Sequence, residues 1–172
     1  VYDGKDLSLL YDNFVYEPTF LGGAYAAIGD FTADGQNDII IGAGEGGGSR
    51  VTVITANPLF FSAFSNPITV ADFFAYDPAL PTGVRVAAGD LDGDGYDSII
   101  TAPGAGGGPQ IRTFDLNTII GRSQAPAPAT LSFFAGQTSD RNGVFVAAGN
   151  FNGSGFADIV TSSGAGAGVV QV

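Results

Sequence analysis

Three stretches of the chain place oxygen-bearing side chains at alternate positions ahead of a glycine and an apolar pair. In GDLDGDGYDSII (89–100) they are Asp90, Asp92 and Asp94, in GDFTADGQNDII (29–40) Asp30, Thr32 and Asp34, and in GNFNGSGFADIV (149–160) Asn150, Asn152 and Ser154. Alternate residues of a tight loop can aim their oxygens at one point, and calcium takes about six to eight oxygen ligands. The middle stretch adds the main-chain carbonyl of Tyr96 and the hydroxyl of Ser98, with Gly95 turning the chain; the first adds the Gln36 carbonyl and Asp38. The third adds the Phe156 carbonyl and Asp158, the only charged group of its set. The expectation is two calcium sites and a third loop that binds weakly or is an ordinary turn, since Asp, Asn and Gly also favour turns by themselves. An EF-hand does not fit: its twelfth-position glutamate would fall on Ile41 or Thr101, and the flanks read as strands.

Other chemistries are narrowed by what the chain lacks. It has no histidine and no cysteine, which removes the commonest general base, imidazole and thiolate ligands, and every Ser-His or Cys-His pair. Metal binding must then use oxygen, which suits calcium, magnesium or manganese. Glycoside hydrolysis needs two carboxyl groups facing each other across a sugar. Asp72, Asp77, Asp115 and Asp140 are loose candidates for it, but nothing sets them apart from acidic turn residues. The run GAGEGG (42–47) satisfies the spacing of a dinucleotide-binding loop, yet SRVTVITA follows where a helix is required. Its glycines are expected at a tight crossing between strands, and neither a catalytic residue nor an organic cofactor site is expected.

The elements that must position these loops repeat. Asp30, Asp90 and Asn150 lie 60 residues apart, as do Gly44, Gly104 and Gly164, and the runs NFVYEP, FFAYDP and FFAGQT keep the same register. Within the middle copy, VRVAAGD, SIITAPG, PQIRTFD and TLSFFAG are rich in Val, Ile, Thr and Phe and punctuated by Gly, Pro and Asp, as short strands are. Four strands in about 60 residues is the pattern of a propeller blade. The fold expected is all-β, with three repeats of four-stranded antiparallel sheet: the second half of a blade over residues 1–21, blades over 22–81 and 82–142, and the first half of a blade over 143–172. Three such units make an incomplete ring.

GVRVAAGDLDGDGYDSIITAPGAGGGPQIRTFD, followed by SFFA and preceded by FFAYDP, resembles the FG-GAP (VCBS-type) repeats of integrin-α-like β-propellers, and the resemblance covers nearly the whole chain. It implies four-stranded blades, a calcium loop between the first two strands of each, and an extracellular, cell-surface or periplasmic setting. The family has aspartate at the ninth loop position, so Ser98 implies a weaker or water-mediated ligand there. The function expected is a calcium-binding structural, adhesion or protein-interaction module; the alternatives are a lectin-like propeller or the propeller part of a polysaccharide-degrading enzyme. The partner is expected to be a protein or a glycan. A net charge of −11, with Lys5 the only lysine, disfavours nucleic acid and anionic membrane, both of which need a basic face. No apolar run is long enough for a membrane-spanning helix. The chain starts at Val1 and has no methionine, so a processed chain or part of a longer one is expected. Its ring would be closed by further blades of that longer chain or by a homodimer completing six blades. NPLFFSAFSNPI (57–68) carries Phe60, Phe61 and Phe64 and offers a candidate partner surface.

Overall fold

The computed structural model describes residues 1–55, 68–121, 126–166 and 168–172. The candidate surface at Phe60, Phe61 and Phe64 lies outside them. Eleven strands form three antiparallel sheets. The first contains β1 (Ala24–Gly29), β2 (Asp38–Ala43), β3 (Arg50–Thr55) and β4 (Ile68–Phe74), hydrogen-bonded in that order. The second repeats it with β5 (Val84–Gly89), β6 (Ser98–Pro103), β7 (Gln110–Phe114) and β8 (Leu131–Phe134). The third has β9 (Val144–Gly149), β10 (Asp158–Ser163) and the short β11 (Val170–Gln171). A single helical turn, α1 (Leu116–Ile119), follows β7. Residues 1–23 hold no strand, only an isolated bridge between Tyr2 and Leu9.

The repeat seen in the sequence is a repeat of structure. The first strands of the three sheets begin at residues 24, 84 and 144, and the second at 38, 98 and 158. The first hairpin pairs Gly29 with Asp38, Gly89 with Ser98 and Gly149 with Asp158, so each acidic loop bridges the same two strand ends. The third sheet departs at its edge: Thr161 pairs with Gln171, whereas Thr101 pairs with Arg112, a slip of one residue.

The sheets stack face to face, which is where their apolar residues go. Ile40, Val51, Val53 and Phe73 of the first sheet meet Val84, Val86, Ile99 and Phe114 of the second in one buried cluster, with the Phe73 and Phe114 rings edge to face at 5.0 Å between centroids. Ala87, Ile100, Ala102 and Ile111 continue into a second cluster with Val144 of β9. Tyr25, Arg85 and Phe145 share one repeat position. The buried Arg85 guanidinium stacks 3.8 Å from the Phe145 centroid, without hydrogen-bond partners for Nε and Nη1 among the described residues.

Two devices hold each sheet to the chain entering it. Gly44, Gly104 and Gly164 donate N–H bonds to the carbonyls of Gly23, Gly83 and Gly143, and a Cβ on any of them would strike the carbonyl of Gly22, Thr82 or Asn142. The sequence leads one to expect these glycines at a tight crossing between the second and third strands; they lie in that connection, but the backbone they approach closely is the segment that precedes the first strand. The second device is a tyrosine. Tyr16 donates its hydroxyl to the carbonyls of Ile41 (2.9 Å) and Arg50 (3.3 Å). Tyr76, 60 residues on, reaches Thr101 (2.9 Å) and Gln110 (2.7 Å) in the same way.

Candidate metal centre

The loop between β5 and β6 brings Asp90, Asp92 and Asp94 together, with carboxylate oxygens within 4.8 Å of one another. It is the one such acidic group found among the described residues. The loop's own amides create the arrangement. Asp90 accepts from the N–H of Gly93 (2.7 Å) and Gly95 (3.2 Å), Asp92 from Asp94 (3.2 Å), and Asp94 from Tyr96 (2.9 Å). Gly93 and Gly95 sit at φ of +79° and +86°, the left-handed conformation that a side chain disfavours. An ionised carboxylate has about four acceptor sites, so these contacts leave oxygen lone pairs for a cation. Three like charges this close repel one another until one arrives.

The first loop follows the same turn with a different outcome. Asp30 accepts from Asp34 N–H (3.2 Å) and Gly35 N–H (2.9 Å), and Asp34 from Gln36 N–H (2.8 Å). Asp38 is buried, and its carboxylate accepts from Phe31 N–H at 3.1 Å. Burial pushes its pKa up, opposed by hydrogen bonds that include the Thr55 side chain. Thr32 is half-buried beside it. Asp30, Asp34 and Asp38 do not converge as Asp90, Asp92 and Asp94 do.

The third loop keeps the turn and drops the charge. Asn150 accepts from Gly153 N–H (2.7 Å), Asn152 from Ser154 N–H (2.7 Å), and Ser154 Oγ from Phe156 N–H (3.2 Å). Asp158 is engaged by the N–H groups of Phe151 (2.8 Å) and Asn152 (3.1 Å) and by Asn152 Nδ2 (2.8 Å). Amides and a hydroxyl thus reproduce the turn, so the turn by itself does not require three carboxylates.

Asp115, read from the sequence only as a loose acid, lies beside the site, while Asp97 points elsewhere, as the sequence leads one to expect. Ser98 donates its hydroxyl to Asp115 at 3.3 Å, and Asp115 also accepts from Thr130 Oγ1 at 2.9 Å. Position 115 repeats position 55, so the first unit pairs Asp38 with Thr55 and the second Ser98 with Asp115. The acid and the hydroxyl have exchanged strands. Aligning the ends of the third strands, as well as the loops, would have exposed it. Asp97 faces away from its own loop: its carboxylate accepts Asp30 N–H at 2.9 Å while its N–H donates to the Asp30 carbonyl at 2.9 Å. Asp94, Asp97 and Asp115 share a cleft of about 230 Å³ with Phe31 and Thr32 of the first loop.

The remaining loose acids lie elsewhere. Asp72 takes both ends of the Arg50 guanidinium at 2.8 and 2.7 Å, while Asp77 and Asp140 cap the N–H groups of Ala79 and Asn142 in turns. No helix among the described residues is long and apolar enough to cross a membrane. No protein-family model, curated protein or solved structure matches the chain.

Proposed function

We propose that the chain is a calcium-stabilised sector of an FG-GAP-like β-propeller, working outside the cytoplasm as a structural or adhesive module that binds a protein or glycan. The convergence of Asp90, Asp92 and Asp94 within 4.8 Å, in a turn that the third loop builds without charge, carries the metal reading. The set is all oxygen, which suits calcium. Asp90, Asp92 and Asp94 would hold the ion, with the Tyr96 carbonyl and the Ser98–Asp115 pair completing the donors. Asp30, Thr32, Asp34, Gln36 and Asp38 would serve a second ion. Tethering β5 to β6 is what the ion would supply, and extracellular calcium is plentiful enough to fill weak sites.

The propeller reading rests on the repetition of the contacts between sheets. Gly46 donates to the Pro81 carbonyl at 2.9 Å, and 60 residues on Gly106 donates to Arg141 at 2.8 Å. Asp97 donates to Asp30 at 2.9 Å and Ala157 to Asp90 at 2.7 Å. The same contacts therefore recur between successive sheets, which supports reading them as neighbouring blades. The outer faces of the array are the two halves of that interface: Ile28 is exposed, whereas its counterpart Ala88 packs against the cluster between the sheets. The sheets that cover these faces come from a second copy, completing six blades, or from further repeats of a longer chain.

Thermal unfolding with calcium against chelator tests the metal reading. Calcium is expected to raise the melting temperature, and Asp90→Asn combined with Asp30→Asn to abolish the response. An unchanged melting temperature in the wild-type chain rejects the site.

A further inference from the structure

We propose that the cleft between the second and third sheets, beside Gly136, is a binding site for a phenol ring whose hydroxyl donates to Thr161. The repeat supplies the comparison. Positions 16, 76 and 136 are equivalent, and the first two are tyrosines, half-buried and buried respectively, in the corner where the chain enters the next sheet. The Tyr76 hydroxyl lies within hydrogen-bond distance of the carbonyls of Thr101 (2.9 Å) and Gln110 (2.7 Å) and of Thr101 Oγ1 (3.1 Å), where either oxygen can donate. In the third corner the residue is Gly136, which has no side chain, and a Cβ built there meets nothing within 4 Å.

The receiving wall is nonetheless kept. Thr161 repeats Thr101, is 5% exposed, and makes no side-chain hydrogen bond to a described residue, whereas the Thr101 hydroxyl is engaged by Tyr76 and by the Arg112 carbonyl. Around it Ala135, Ala165 and Val169 give a cleft of about 280 Å³ its apolar walls, and Asp140, Asn142 and Ser162 its polar ones. An apolar cavity of about 150 Å³ is enough for benzene, while sites for drug-sized ligands start near 300 Å³. The cleft is therefore sized for one substituted aromatic ring. Toluene would gain the burial alone; a phenol would add a hydrogen bond to Thr161, a neutral bond of about 1 kcal/mol or roughly fivefold in affinity. The phenol could be a tyrosine side chain of a peptide or a free small phenol, and the test separates them. None of this rests on the calcium reading.

The experiment is backbone-amide NMR of the isotope-labelled chain titrated with p-cresol, toluene and N-acetyltyrosinamide. Saturable shifts are expected at Gly136, Thr161 and Ala165 below about 10 mM p-cresol, with toluene several-fold weaker. Val169→Trp, which fills the mouth from a half-exposed position, is expected to abolish them. Gly136→Tyr should supply the ring from the chain itself, but its φ of +113° strains any side chain, so Val169→Trp is the primary block. Binding of N-acetyltyrosinamide assigns the cleft to a tyrosine side chain, and binding of p-cresol alone to a free phenol. The proposal is overturned by absence of saturable shifts, by shifts that survive Val169→Trp, or by toluene binding as well as p-cresol.

Discussion

Ala33 stands where the other two acidic loops have Gly93 and Gly153, and it adopts their left-handed backbone, at φ +52°. That conformation costs a non-glycine residue about 1–2 kcal/mol, while the extra freedom of a glycine in the unfolded chain returns about 0.5–1 kcal/mol. Ala33→Gly is therefore expected to stabilise the chain by up to about 1 kcal/mol, measurable by chemical denaturation. The exchanged pair makes a sharper test. Ser98→Asp alone sets a second carboxylate against the Asp115 carboxylate in a buried position, and a loss of about 1–3 kcal/mol is expected from the unpaired charge. Adding Asp115→Thr recreates the arrangement of the first unit and should recover most of that loss; a double variant no better than Ser98→Asp alone would refute the exchange. The loop acids were legible in the sequence because their spacing is local. Asp97 and Asp115 were not assigned because their partners, Asp30 and Ser98, lie 67 and 17 residues away.

Among the elements, the tyrosine corners hold the first two sheets to the chain entering them, and their chemistry gives them a pH signature. Burial raises the Tyr16 hydroxyl from the ordinary phenol value near 10 to about 12, and drives that of Tyr76 up as well. A folded-state value above the unfolded one means the stabilisation is fully present below pH 10 and is lost as pH rises through the folded value. Stability measured in denaturant should fall steeply between pH 10 and 12, and less steeply in Tyr16→Phe. At neutral pH, Tyr76→Phe is expected to cost about 1–3 kcal/mol, because the buried acceptors at Thr101 lose their donor. The strands themselves were readable from their β-branched runs and turn residues, and β5, β6, β7 and β8 lie within the predicted runs. The one-residue slip of β11 was not readable, since the glycine-rich run before it sets no register of its own.

At the scale of the molecule, the two ends of the array can be probed with one substitution at two equivalent positions. A Cβ on Gly89 would meet the Cβ atoms of Ala157 (2.7 Å) and Ala148 (3.1 Å) across the sheet interface, whereas one on Gly149 meets nothing within 4 Å. Gly89→Leu is expected to destabilise the chain by overpacking, typically about 1–3 kcal/mol. Gly149→Leu should leave a free chain unaffected and break a ring in which another sheet covers that face. A solution mass of twice 17.4 kDa, reduced to the single-chain mass by Gly149→Leu, would establish closure by a second copy. A single-chain mass for the wild type would rule out closure by a second copy.

The sequence alone determined the 60-residue period, the all-β composition and the charge carried by each loop, because each is written in residues a few positions apart. Only the tertiary structure decided which loop gathers its carboxylates, where Asp97 and Asp115 act, and that Gly136 opens a cleft. Those outcomes depend on contacts between strands of one repeat, or between one repeat and the next, which no local pattern encodes.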